Sequence, residues 1–325
     1  MKKIISIILA AVMLTAALTL TACTGKETAP EQIRVLTLMG PTGMGMAKLI
    51  NDSKNTENAV KYEFTVATAP DQVSAQVIKG DFEIAAVPVN LAAVLYNKTE
   101  GAVQVAGVNT LGVLYMLETG DTVKSVADLK GKTIYATGQG ANPEYTLRYI
   151  LAKNNIDPDK DVTIEFLSEH AELAAKMVSG DVTLGMLPEP NVTSVLLNNK
   201  DAHIALDLNK EWKNVSGADM VMGCIIVNSK FAEEHKDNLD AFLAEYAQSI
   251  DFVNSNVDEA ARLCEHFEII PKAPVAKKAI PNSGIVYLDG EEMKEALGAF
   301  LTVLNEYNPK IIGGTLPDEG FYYSK

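Results

Sequence analysis

V-I-K-G-D-F-E-I-A-A-V-P-V-N, Val77 to Asn90, returns as M-V-S-G-D-V-T-L-G-M-L-P-E-P-N, Met177 to Asn191, with one extra residue before the final asparagine. The likeness extends outward over Tyr62 to Asn97 and Val162 to Asn198, and it fixes Ala75, Gly80, Asp81 and Pro88 against Ala175, Gly180, Asp181 and Pro188. Each copy reads strand, helix, strand, helix. Thr65 and Val66 end a β-branched run, Asp71 or His170 opens a helix, Gly80 or Gly180 stops it, and a short apolar run reaches a proline. Two copies are too few for a solenoid. They predict two similar α/β lobes with a cleft between them, the usual place for a small ligand.

The remaining segments fit around that pair. Ile33 to Leu38 reads as a strand, followed by Met39-Gly40-Pro41-Thr42-Gly43 and a helix to about Asn51. Val103 to Val108 is a buried strand, and the apolar run Leu111 to Leu117 continues it as a long strand leaving the first lobe. Ile134 to Ala136 leads into a second glycine-rich turn, Thr137 to Pro143, with Asn142 expected as the N-cap and Pro143 as the first helical residue. After a polar stretch, Asn209 to Asp219, the run Met220 to Val227 returns to the first lobe. Two crossings make a two-stranded hinge. The last third reads as helices over Lys230 to Asn256, Asp258 to Phe267 and Glu291 to Asn308.

The amino terminus is a targeting signal. Lys2 and Lys3 precede the apolar stretch Ile4 to Leu20, and Leu20-Thr21-Ala22-Cys23 has the form of a lipobox, so 1–22 is read as a signal peptide and 23–31 as a tether behind an acylated Cys23. Losing Lys2 and Lys3 with no acid leaves 26 of 28 basic residues against 42 acidic ones, a formal charge of −16. Such a surface argues against nucleic acid and against a polybasic membrane footprint. Cys224 and Cys264, the other two cysteines, are expected as separate buried thiols.

Enzyme signatures are missing from the sequence. It contains no G-x-S-x-G, no H-E-x-x-H and no P-loop lysine, and His170, His203, His235 and His266 are widely separated. No cofactor and no metal site is expected.

The strand leading to Gly40-Pro41-Thr42-Gly43, the D-L-K-G-K-T-I-Y turn at Asp128 to Tyr135 and the paired glycine-aspartate and proline-asparagine units are joined by two further motifs. These are I-I-V-N-S-K-F-A-E-E-H at Ile225 to His235 and G-G-T-L-P-D-E-G-F-Y-Y at Gly313 to Tyr323. Together they resemble the solute-binding lipoproteins of ABC importers, of the nitrate, sulfonate and taurine type, related to binding proteins for thiamine pyrimidine precursors. The resemblance implies an α/β, two-lobed periplasmic-binding-protein-like fold (type II) with a two-stranded hinge, with lobe 1 from 31–110 plus 217–325 and lobe 2 from 111–216. It implies partners as well: a small-molecule ligand (sulfonate, carboxylate or pyrimidine-like), the permease and ATPase subunits, and the membrane through the lipid anchor alone. The implied location is the extracytoplasmic face of the cell membrane. An enzyme of the related pyrimidine-synthase-like fold, acting on a small heterocycle, is the alternative.

Carried onto the matching loops, the implied ligand shell is Gly40, Thr42, Gly43, Pro88, Asn90, Asn109 and Thr110 in lobe 1. In lobe 2 it is Thr137, Gly138, Gln139, Gly140, Asn142, Glu189 and Asn191. The two glycine-rich turns are expected to face each other and to supply N–H groups to an oxygen-rich group. Glu189 is expected to pair with an amine or a protonated ring nitrogen. None of the three arginines, Arg34, Arg148 and Arg262, falls in these loops.

Overall fold

A computed structural model of the chain describes residues 32–55 and 61–324. The signal segment, Cys23 and the tether lie outside the described residues. The first sheet holds β1 (Ile33–Leu38), β2 (Tyr62–Ala67), β3 (Ile84–Pro88) and β4 (Val103–Leu111); the second begins with β5 (Leu114–Thr119), β6 (Thr133–Thr137), β7 (Thr163–Leu167), β8 (Leu184–Pro188) and β9 (Ala202–Asp207). β10 (Val221–Asn228) and β11 (Ile285–Leu288) return to the first sheet.

The repeat in sequence is a repeat in topology. In the first sheet β1 lies parallel to β2 and β3, and β10 pairs antiparallel with β3 and β4. In the second, β6 lies parallel to β7 and β8, and β5 pairs antiparallel with β8 and β9. The antiparallel strand beside each proline-ended strand is therefore the one the other half sends across. Gly223 of β10 sits opposite Pro88, and Leu114 of β5 sits opposite Pro188. The long strand expected to leave the first half is two strands, broken at Gly112 and Val113, because each part joins a different sheet.

Local chemistry accounts for the punctuation. The helices Pro70–Lys79 and His170–Ser179 both end in a glycine with left-handed backbone, Gly80 at φ 75° and Gly180 at φ 85°, a conformation that carries a steric penalty for a side chain. Alternation along the strands sorts side chains into layers. Leu36 and Leu38 join a core that also takes in Leu114, Met116, Trp212 and Phe300 from both sheets and their helices; Ile33 and Val35 face the opposite layer with Met44, Met46 and Tyr246. Leu117, Leu173 and Met177 form the outer layer of the second sheet.

Several boundaries differ from expectation. The polar stretch after β9 contains a helix, Leu208–Ser216, whose N-terminus is capped by the Asp207 carboxylate and whose one fully buried aromatic is Trp212. The helix expected over Lys230 to Asn256 is two, Ser229–Glu234 and Lys236–Ser255, parted at His235, whose backbone (φ −130°, ψ 42°) is not helical. Cys224 and Cys264 are buried and free.

Candidate ligand-binding cleft

The C-terminal ends of the parallel strands open onto one cleft of about 530 Å³. From the first sheet it is lined by Pro41 and Thr42 after β1, the turn Thr68 to Asp71 after β2, and Pro88, Asn90 and Leu91 after β3. The second sheet contributes Gly138 and Ala141 to Pro143 after β6, Ser168 to His170 after β7, and Pro188 at the end of β8. Thr110, Val113 and Met222 complete the wall where the chain crosses between sheets. Thr68-Ala69-Pro70 and Ser168-Glu169-His170 stand a hundred residues apart, as do Pro88 and Pro188, so the two copies of the repeat present corresponding turns to the same space. A crevice outside the carboxyl ends of parallel strands is where open α/β sheets hold ligands.

Of the residues the sequence nominated, Thr42, Pro88, Asn90, Thr110, Gly138 and Asn142 line the cleft. Others shape the wall from behind. Asn109 is buried; its Nδ2 donates to the Thr42 carbonyl at 3.2 Å and to the Tyr246 hydroxyl at 3.1 Å, and its Oδ1 accepts from the Thr110 hydroxyl at 3.0 Å. Gly43 permits the first turn to close, since a methyl there would lie 2.0 Å from the Leu38 carbonyl oxygen. Gly40 opens the short helix Pro41–Met44. Thr137 is buried with its Oγ1 2.5 Å from His170 Nδ1. Gln139 is exposed, Gly140 donates its N–H to the Glu144 carboxylate at 2.7 Å, and Asn191 starts the helix Asn191–Asn198.

Glu189 sits elsewhere than facing the cleft. Its carboxylate is 2 % exposed and accepts from the Thr193 N–H and hydroxyl, both at 3.0 Å, so it caps the helix that follows. Burial pushes this carboxyl up to about 7 against the pull of the two Thr193 bonds. His170, by contrast, is pushed down by burial, with Glu169 opposing, so the imidazole in the cleft is neutral at neutral pH.

In the glycine-rich turns some N–H groups are engaged within the protein, while those of Thr42, Gly138 and Gln139 have no acceptor among the described residues. Met39, Gly40, Gly43 and Met44 donate theirs to backbone carbonyls, Pro41 has none, and in the second turn Ala141 donates to Gly138 while Gly140 serves Glu144. No Lys or Arg lines the cleft among the described residues; Arg34 is held by Glu83 and Arg148 by Glu144 and Asp159. The charged side chains that do line it, Asp71 and Glu169, are acidic, exposed, and come one from each half.

Asn142 is the unusual member. It is the first residue of the helix Asn142–Lys153, one position later than an N-cap, and its side chain makes no capping bond; Ala141 occupies the cap. The residue is 2 % exposed, yet neither Oδ1 nor Nδ2 has a hydrogen-bond partner. Buried amides are paired in the great majority of folded proteins. Among the described residues no cluster of three His, Cys, Asp or Glu is placed to hold a metal ion.

A model of the family described as NMT1/THI5 like matches residues 63–260, which span both copies of the repeat. The chain belongs to the NMT1/THI5-like family. No match is found among curated proteins. Among solved structures, an ABC transporter from Parabacteroides distasonis aligns at 26% identity and a TM-score of 0.78, over 91% of this chain and 100% of that one. The periplasmic aliphatic sulphonate binding protein SsuA from Escherichia coli aligns at 17% identity and 0.73, over 91% and 93%. The periplasmic nitrate-binding protein NrtA from Synechocystis aligns at 11% and 0.61, over 86% and 82%. At those last two identities the likeness is one of fold. The NMT1/THI5-like chain thus has the two-sheet α/β fold of periplasmic binding proteins.

Sequence reasoning passed over several lining residues of this NMT1/THI5-like chain: Thr68 to Asp71, Ser168 to His170, Val113 and Met222. The signal for the first two groups was present, because the repeat places both turns at the same strand-to-helix junction on either side of the cleft. Val113 and Met222 carried none, being apolar residues in apolar runs.

Proposed function

We propose that this chain is the solute-binding component of an ABC importer, capturing a small organic molecule in the cleft on the extracytoplasmic side and delivering it to permease and ATPase subunits. The observation that carries this reading is the cleft itself: the two copies of the repeat set corresponding turns, Thr68-Ala69-Pro70 and Ser168-Glu169-His170, on the same space at the carboxyl ends of the parallel strands. The fold and family support the same role. In the competing reading, an enzyme, the cleft would need a reacting group. Cys224 and Cys264 lie outside it and burial holds both thiols far above the ordinary range.

In this reading 31–110 plus 217–325 and 111–216 act as lobes that close on the ligand about the crossings near Gly112 and Met220. A thermal-shift screen should find a small organic ligand, which at a hundred times its dissociation constant adds about 2.7 kcal/mol of stability. Small-angle scattering with that ligand at saturation should then show a smaller radius of gyration. Stabilisation with no change in the radius would sink the closure. Cys23 is proposed as the lipid attachment point, from the lipobox that ends there. Mass spectrometry of the membrane-extracted protein should find a diacylglyceryl group on an N-terminal Cys23; an intact Met1 would end the anchor proposal.

A further inference from the structure

We infer that Glu144 and Arg148 are positioning residues that tie the shape of the cleft turn Gly138 to Ala141 to the seat of the first half, which reaches them through Tyr307. This rests on the proposed role of the cleft as a solute site and links that site to the contact between the halves.

The turn is easily deformed. Gly138 at φ 76° and Gly140 at φ 74° both take left-handed backbone, one on either side of the exposed Gln139, and glycine has the widest choice of conformation of any residue. Ala141 donates its N–H to the Gly138 carbonyl at 3.1 Å, and Gly140 donates to the Glu144 carboxylate at 2.7 Å. The second bond has an ionised acceptor and is the stronger. Glu144 gives Oε2 to Gly140 and Oε1 to Arg148 Nε, also at 2.7 Å, while Arg148 Nη1 donates to Asp159 at 2.8 Å. The Glu144 and Arg148 side chains are 12% and 21% exposed, so solvent screens this pair weakly.

The first half reaches the same pair. Tyr307 ends the helix Gly290–Tyr307, and its ring centroid lies 6.4 Å from that of Tyr145, the neighbour of Glu144 in the helix Asn142–Lys153. Burial pushes the Tyr307 phenol up, Arg148 opposes, and Asp159 and Glu144 add to the rise, so the phenol lies within the field of all three charges. Tyr149 and Phe300, on the same two helices, meet across Trp212, which makes the seat of Tyr307 part of the contact between the halves. Moving Tyr307 away admits water to the ion pair, raises the local dielectric and loosens the hold of Glu144 on Gly140. By linkage, a solute that reshapes the turn biases the seat of Tyr307.

Nuclear magnetic resonance on the mature chain with isotope-labelled glycine and no added ligand follows the Gly140 amide directly. Glu144→Gln should shift that amide proton upfield and speed its exchange with water by about tenfold. Tyr307→Ala should act in the same direction by about threefold, the effect of exposing a shielded ion pair, and Tyr307→Phe, which keeps the ring, should match the parent. Arg148→Met, which leaves both tyrosines in place, should also speed the exchange. The Tyr307→Ala, Glu144→Gln double variant should be no faster than Glu144→Gln alone, because Tyr307 acts through that carboxylate. The Gly80 and Gly180 amides should stay at their parent values in every variant, which separates a local effect from a general loss of stability. A Gly140 amide that ignores Tyr307→Ala and Arg148→Met overturns the inference. So does one that responds no more than Gly180, or a double variant in which the two effects add. Each of these failures leaves the solute-binding role standing, since that role is decided by the ligand screen.

Discussion

A Glu189→Gln variant is expected to gain on the parent protein as pH rises, melting close to it at pH 5 and clearly above it at pH 8. The Glu189 carboxyl has an ordinary value of 4.5, and burial lifts it to about 7 in the folded chain. The folded state therefore holds this proton more tightly than the unfolded state does. Its contribution to stability is full below about pH 4.5, is lost progressively as pH rises to about 7, and is constant above that. The interval corresponds to about 3 kcal/mol. Since the side chain is almost wholly out of water, solvent screening removes little of it. A glutamine amide resembles the protonated acid: its oxygen accepts from the Thr193 N–H, and its NH₂ donates to the Thr193 hydroxyl. Denaturant titrations of both proteins from pH 5 to pH 8 decide it. Parallel stability profiles across that range would mean that Glu189 ionises in the folded protein as freely as in water.

Glu189 also marks where reading the sequence stops. A glutamate between two prolines in a cleft-facing loop reads as a ligand group, because nothing in the residue types announces that Thr193, four residues on, takes up both oxygens. The glycine-rich turns were legible only in outline: of their N–H groups, those of Gly40, Gly43 and Ala141 are taken by backbone carbonyls and that of Gly140 by Glu144. What was legible was whatever depends on backbone geometry. Gly80 and Gly180 end helices by a left-handed turn, Pro88 and Pro188 end strands, and the copies between those points make equivalent pairings in each sheet. The crossing strands were legible as apolar runs lying outside the repeat. The pairing of polar groups was not, since it depends on distances of three ångströms between residues far apart in sequence, as with Asn109 and Tyr246. Asn142 belongs to both classes. Its place at a helix start was readable, and its failure to cap that helix was not.

Trp212→Ala is expected to destabilise the fold by about 3–5 kcal/mol, the range for emptying a buried indole site. Trp212 is fully buried, with ring centroids 4.9 Å from Tyr149 and 5.1 Å from Phe300. Tyr149 belongs to the helix Asn142–Lys153 beside the second sheet, and Phe300 to the helix Gly290–Tyr307, which packs on β4 and β10 of the first. The indole thus joins the two halves through a helix whose other residues are mostly polar. Its Nε1 has no hydrogen-bond partner, so the loss comes from packing, and Trp212→Phe should lose much less than the alanine variant. As the single tryptophan, it also reports on the seam it fills. If the halves move on ligand binding, the intrinsic emission of the parent protein should change at saturation, whereas Trp212→Phe should still bind without any tryptophan signal. A Trp212→Ala protein that melts with the parent would show that the contact between the halves does not depend on this ring, and a ligand that saturates the cleft without altering the emission would count against movement at the seam.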